Sequence, residues 1–456
     1  MLTLQVESGI FLRDIRELFA EFDPEELGEQ MHAFIRELYP ICRSITGEGV
    51  RETLRRMQQL VPLEIREVPS GTPVFDWVVP NEWNIRDAYV KSGTGKRIID
   101  FQKSNLHVVS YSVPFRGKLR LSELMQHLHS LPDRPDWIPY RTSYYKESWG
   151  FCLAHRELLQ LVDEEYEVCI DSTLQPGSLT YGEYVIPGSS EVEVLISTHI
   201  CHPSLCNDNL SGIVVAMQWA NHLRQLANRR YTYRFLFVPG TIGAITWLAH
   251  NESHAMQRIR HGLVLSGVGD ARGLSYKKSR RGTAEIDRIL VHLLRHSEED
   301  HAILDFSPYG YDERQYCSPG FNLAVGRLSR SIHGTFPQYH TSADNLDFVE
   351  PRALERALRI CLMVTRTVES NRTMINTNPR CEPQLGRRGL YRAIGGQADS
   401  GAAEMAMLWV LNLSDGANSL LDIAERANMP FAAVEKAAHV LEQHGLLVEK
   451  ADGYST

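Results

Sequence analysis

The run Val192-Glu-Val-Leu-Ile-Ser-Thr-His-Ile-Cys-His-Pro-Ser-Leu-Cys-Asn-Asp-Asn-Leu-Ser-Gly212 decides the fold. Its first six residues form a short apolar run of the kind buried in a parallel sheet. A helical pattern then spans 211–227. Strand, loop and helix in that order put the loop at the C-terminal edge of a sheet, where open α/β folds bind ligands. Three donors stand on it: His199, His202 and Asp208. Neutral imidazoles with a carboxylate suit Zn²⁺. Asp208 or Asn209 would equally serve as a cap for the following helix, and one histidine could be purely structural.

Outward from this run the alternation repeats. Residues 231–238 read as a strand, 242–250 as a helix, and 262–265 and 321–325 as further strands. That pattern predicts an α/β domain with a mostly parallel sheet and helices on both faces. Upstream, 11–60 reads as helical, with Phe34, Ile35 and Leu38 at helical spacing and a break at Gly47-Glu-Gly49 before a polar helix over 50–60. Between 67 and 185 the texture changes to short strands at 74–80, 106–112 and 166–170, which predicts a separate β-rich unit. A polar joint at 373–389 reads as a linker. Beyond it, 419–427 and 430–445 read as two helices and 446–450 as a strand, the order of a winged helix-turn-helix. The expected domains are 1–66 with 186–375, an insert over 67–185, and a winged helix over 376–456.

Length and charge narrow the functional classes. At roughly 150 residues per domain, 456 residues imply two or three domains. The chain is 43% hydrophobic and 23% charged, which excludes disordered, collagenous and small disulfide-stapled proteins. A net charge of −8 is a poor footprint for a dedicated nucleic-acid binder. The basic run Lys277, Lys278, Arg280 and Arg281 reads as a solvated loop. In the second helix of the C-terminal module, Lys436, His439 and His444 are offset by Glu435 and Glu442, so packing against the main domain or a partner chain is expected there rather than DNA. Eight scattered cysteines without a CxxC pair fit a reducing compartment. With no leader pattern and no apolar run of about 18 residues, a cytoplasmic protein without a membrane partner is expected.

Two later stretches add to the donor loop. Gln338-Tyr-His-Thr-Ser-Ala-Asp-Asn-Leu-Asp347 supplies His340, with Asp344 and Asp347 as acceptors for its other ring N–H. Tyr311-Asp-Glu-Arg-Gln-Tyr-Cys-Ser-Pro-Gly320 is an acidic and aromatic loop. In order, VLISTHICHPSLCNDNLSG and YHTSADNLDF resemble the zinc aminopeptidases of the M28 clan. With Leu38-Tyr-Pro-Ile-Cys-Arg-Ser-Ile-Thr-Gly-Glu-Gly-Val-Arg-Glu-Thr-Leu54, the chain resembles more closely the DUF4910 aminopeptidase-like family, whose members carry an inserted β-rich DUF2172 domain and a C-terminal winged helix. The resemblance covers nearly the whole chain. It implies a zinc-exopeptidase-like α/β fold, aminopeptidase activity, and metal ligands at His199 (or His202), Asp208 and His340. Asp208 takes the bridging position of two-metal members, and Cys201 stands where those enzymes carry an orienting Asp.

Two departures from that pattern bear on catalysis. The M28 enzymes place a Glu-Glu pair after the second strand, one Glu acting as general base. In Phe237-Val-Pro-Gly-Thr-Ile-Gly-Ala-Ile-Thr-Trp247 that pair is Gly240 and Thr241. A positioned general base contributes about 10²–10⁴-fold, so hydrolysis would need a substitute such as Glu313 or Asp312. The third acidic ligand falls on Ser266, with Asp270 four residues later. Losing both acidic ligands favours one zinc ion per chain. Tyr276, Arg280, Tyr311, Arg314 and Tyr339 are the candidate substrate contacts, Arg280 suiting a substrate carboxylate. The expectation is a zinc-dependent amide-bond hydrolase of aminopeptidase type acting on a small peptide or aminoacyl conjugate, weakened by Gly240. Family members of this type are associated with biosynthetic pathways and often dimerise through the insert, so a homo-oligomer is expected. The alternatives are a non-catalytic binding or scaffold protein that kept the fold, and a transcription regulator acting through the winged helix.

Overall fold

The computed structural model describes residues 23–390 and 398–450, in two compact units. The first comprises Met1–Ala284 and Ala302–Arg359, the second Glu285–His301 and Ile360–Thr456. Positions 11–22 of the expected N-terminal helix lie outside the described residues.

The first unit is built on an eight-stranded sheet. Its order is Glu64–Pro69, Ser178–Ile186, Thr232–Val238, Glu193–His199, Ile259–Leu265, Val325–Ser329, Leu274–Lys277 and His301–Leu304. The run from Thr232–Val238 to Val325–Ser329 is parallel, and antiparallel strands flank it. Every residue of Glu193–His199 is buried, which is why its sequence is apolar on both faces. The one charge in it, Glu193, accepts from Arg234 Nε and Nη2, both at 2.7 Å. Helices Ser211–Leu223 and Ile242–His250 follow the two central strands. Trp219, Trp247, Phe235 and Phe237 are fully buried in this core, and each such side chain stabilises the fold by about 1.5–3 kcal/mol.

The β-rich segment holds its own antiparallel sheet, ordered Arg97–Asp100, Glu82–Lys91, Glu165–Gln175 and Phe115–Arg120. The boundary expected at 185 falls inside Ser178–Ile186, a strand of the large sheet. Three strand expectations need correction. Residues 74–80 split into a tight hairpin, Pro73–Val74 with Trp77–Val78, turned at Phe75 with φ of 56°. Residues 106–112 are not a strand: Ser104 caps a short helical turn, Asn105–His107, and only isolated bridges follow. The strand placed at 321–325 is Val325–Ser329, because Asn322 adopts a φ of 45° and holds the preceding residues in a turn.

In the second unit, strands Asp415–Ser419, Thr373–Asn376 and Leu447–Glu449 form an antiparallel sheet with helices Ala398–Leu413, Leu420–Ala427 and Phe431–Gln443. This is the winged helix. The expected linker at 373–389 therefore begins as the sheet's central strand, with Met374 and Asn376 facing inward. Ser419 closes a capping box with Asp422 at the start of its helix. Among the described residues no helix is long and apolar enough to cross a membrane.

Candidate metal centre

The loop after Glu193–His199 turns back on itself and brings its donors together with His340. Three imidazoles face one buried carboxylate. His199 Nε2 lies 2.8 Å from Asp208 Oδ1, His340 Nε2 3.2 Å from Oδ2, and His202 Nε2 3.9 Å from Oδ2. The ligand atoms of His199, His202 and Asp208 all lie within 4.8 Å of one another. Asp208 is 1% exposed, and its Oδ2 has no hydrogen-bond partner among the described residues. Burial alone would raise the Asp208 pKa, but His202, His199 and His340 outweigh it and hold the carboxyl well below its usual range. Burial holds His202 at about 3, hence neutral. A carboxylate beside the neutral His202 imidazole is the protonation state that a metal requires of those two groups.

Polar side chains fix the loop from behind. Asp344 accepts from the backbone N–H groups of Asn207 (2.6 Å) and Asp208 (2.9 Å), and burial pushes its pKa up to about 7. Asn207 Nδ2 donates to Asp270 Oδ2 (2.8 Å), and Asn209 Nδ2 to Thr198 Oγ1 (2.7 Å). Asp270 is thus a support of the loop, while Ser266, fully buried, stands at the end of Ile259–Leu265. Cys201 is buried, which pushes its thiol up to about 12, and it accepts from Gly240 N–H (3.2 Å). It cannot act as an orienting anion near neutral pH.

Gly240 sits against the cluster. A Cβ there would meet Cys201 Sγ at 3.4 Å and His199 Cβ at 3.6 Å, which is ordinary contact. The next residue, Thr241, has a φ of 63°, a conformation that costs a β-branched residue of order 1–3 kcal/mol. Asp312 holds it there by accepting its N–H at 2.6 Å, and Arg314 Nη2 reaches its Oγ1 at 3.5 Å. Burial raises Asp312 to about 6, and its Oδ2 has no partner among the described residues.

The remaining candidates divide. Tyr311 stacks on His199 (centroids 4.9 Å apart) and Tyr339 on His340 (3.9 Å), so both border the cluster. Glu313 does not: it is fully buried and bound by Lys277 and Arg327, which removes it as a free base. Tyr276 is a core residue, fully buried in its strand with its ring against Gly326. Arg280 is exposed and donates to Asn322 Oδ1 (3.0 Å). Asp347 is exposed beyond the loop, its N–H capped by Asn345.

Sequence reasoning missed Tyr140. Its ring lies 5.2 Å from that of His202 and 5.1 Å from that of His340, and its N–H donates to His340 O (2.8 Å). Tyr140 comes from the β-rich segment, whose aromatic density over 137–149 was the only signal. A cleft of about 660 Å³ opens beside it, lined by Arg134, Tyr140, Arg141, Tyr339 and His340.

The family model described as Domain of unknown function (DUF4910) matches residues 32–371. The chain belongs to the DUF4910 family. A winged helix-turn-helix model matches 372–449. A Clostridium acetobutylicum protein, provisionally named for polysaccharide biosynthesis and for an aminopeptidase-like domain, is 52% identical over 422 residues, covering 92% of this chain and 96% of its own. A crystal structure from Clostridium acetobutylicum, provisionally named a peptidase, superposes with a TM-score of 0.90 at 50% identity, covering 96% of this chain and 98% of that one. The zinc aminopeptidase BSAP of Bacillus subtilis shares the fold at a TM-score of 0.52 and 14% identity, over 75% of this chain and 94% of its own. This DUF4910 chain therefore has an aminopeptidase-like α/β fold with a C-terminal winged helix.

Proposed function

We propose that the chain is a zinc-dependent amide hydrolase of aminopeptidase type that acts on a small peptide or aminoacyl conjugate. The observation that carries this reading is the convergence of His199, His202 and His340 on the buried Asp208 carboxylate. The nitrogen and oxygen donors gathered there suit zinc. Asp208, His340 and one or both of His199 and His202 would hold a single ion. When bound, zinc polarises a carbonyl and lowers the pKa of water. Tyr140, Tyr311 and Tyr339 wall the cluster and would exclude water from a bound amide. With Gly240 lacking a side chain, Asp312, a buried carboxyl that holds the neighbouring Thr241 N–H with one oxygen and has the other free, would take the proton. The name of the Clostridium relative supports a modified biosynthetic amide over bulk peptide. We place the protein in the cytoplasm on the strength of its reduced cysteines.

Elemental analysis of protein purified without added metal tests this reading, with His340→Ala as control. About one zinc per chain, lost in the control, is expected of a site with this donor set. No zinc after reconstitution would sink it. One observation favours a second reading, a binding protein without turnover: Asp312, the substitute base, is committed by one oxygen to Thr241 N–H. Zinc-loaded protein that binds aminoacyl conjugates, releases no amine, and gains nothing from Gly240→Glu would establish that reading instead.

A further inference from the structure

A second buried polar cluster adjoins the first through Tyr311. Lys277, Glu313 and Arg327 are 3%, 0% and 1% exposed. Lys277 Nζ donates to Glu313 Oε1 (2.9 Å) and to Tyr309 O (2.9 Å). Arg327 Nη1 donates to the same Oε1 (3.4 Å) and to His333 Nδ1 (3.1 Å). Two cations thus share one carboxylate oxygen. Lys277 and Arg327 are direct cross-strand partners, an arrangement of like charges that is unfavourable unless anions compensate it. Glu313 compensates one. Two buried cations thus rest on one carboxylate within the cluster, a setting in which a further anion is favoured.

The surroundings point to a ligand. Arg327 Nε and Glu313 Oε2 are buried without hydrogen-bond partners among the described residues, as are Ser329 Oγ and Ser331 Oγ. Ser266 and Ser329 stand at the C-terminal ends of parallel strands Ile259–Leu265 and Val325–Ser329, the edge that also carries His199. Half-buried His333 and exposed Tyr309 form the rim. Burial first, and then the Arg327 charge, push His333 below its usual range, so the positive field there comes from the fixed cations.

We propose that the Lys277–Glu313–Arg327 cluster is an anion subsite that takes a carboxylate of the substrate, resting on the hydrolase reading above. Tyr311 adjoins both: His199 stacks on its ring at 4.9 Å, and the Arg327 guanidinium lies 5.5 Å from its centroid. Both clusters therefore border the same ring, and the substrate class is a short acid, a dipeptide or an aminoacyl group on an amino acid, with its carboxylate on the far side of Tyr311 from the amide. Arg327 takes the role that sequence reasoning gave to Arg280.

The test is calorimetric titration of the full chain, zinc-free and zinc-loaded, with alanylalanine and with its C-terminal amide. The acid should bind roughly 10–100-fold more tightly than the amide in both forms, the size of charge-assisted hydrogen bonds. Arg327→Met should abolish the preference without lowering the thermal midpoint, because one cation then faces one carboxylate. Glu313→Gln should widen the preference. Equal affinities, including no detectable binding of either probe, would overturn the proposal. So would a preference seen only with zinc, or one that survives Arg327→Met. A chain that binds no zinc yet keeps the Arg327-dependent preference removes the hydrolase reading alone. Zinc binding without the preference removes the anion subsite alone.

Discussion

The two buried clusters on the sheet's C-terminal edge are opposites. Around Asp208, three imidazoles surround one carboxylate, and the group left unpartnered is an acceptor, Oδ2. Around Glu313, two cations share one carboxylate, and the group left unpartnered on the cationic side is a donor, Arg327 Nε. One lacks a cation and the other an anion. Buried polar groups are normally satisfied, so what each cluster lacks defines what it binds. On the proposals above, a substrate would be held at two points, the carbonyl of an amide and a carboxylate close by.

The strongest way to break the comparison is to remove the first carboxylate. Asp208→Asn should reduce zinc from about one per chain to trace, since a neutral amide is a poor ligand for a hard site; elemental analysis reads this directly, and retained zinc would mean the histidines suffice. Next comes Gly240→Glu. The new Cβ makes only ordinary contacts, so the thermal midpoint should stay put while turnover of aminoacyl substrates rises by about 10²–10⁴-fold. A folded, zinc-loaded variant with no gain over a parent that already turns over substrate would mean that Asp312 already serves. Asp344→Ala is milder. It strips two backbone N–H groups of their acceptor behind Asp208, and zinc affinity, measured by competition with a chelator, should fall about 10–100-fold, as for other outer hydrogen bonds to ligands.

The contrast also explains what could be read from the chain. The Asp208 cluster was legible because one continuous run carries the buried strand, three donors and the start of the helix, with only His340 distant. The Glu313 cluster was not. Its members come from a short strand, a loop helix and a second strand, and they meet only through the antiparallel register that pairs Lys277 with Arg327. No spacing in the sequence encodes that register. The same gap misplaced Tyr276, whose ring is buried against Gly326, the neighbour of Arg327. Tyr140 was hidden for another reason: it reaches the histidines from the β-rich segment, where nothing resembles a ligand pattern.

The smallest expected effect comes from a buried histidine of the second unit, and it calibrates the other two clusters. His292, in the C-terminal unit, is 5% exposed, and burial first, then His296, hold it at about 4 against an ordinary 6.5. The fold keeps His292 neutral, whereas the unfolded chain takes up its proton near 6.5. Its contribution to stability is therefore present above that pH and is lost as pH falls towards 4. Thermal unfolding of the C-terminal unit should show a midpoint that declines through this window, and His292→Gln should flatten the decline. Added zinc should leave this behaviour unchanged while it stabilises the unit that holds Asp208. If zinc shifted both transitions equally, the Asp208 cluster would have no special claim to the metal, and the charge contrast would lose its first term.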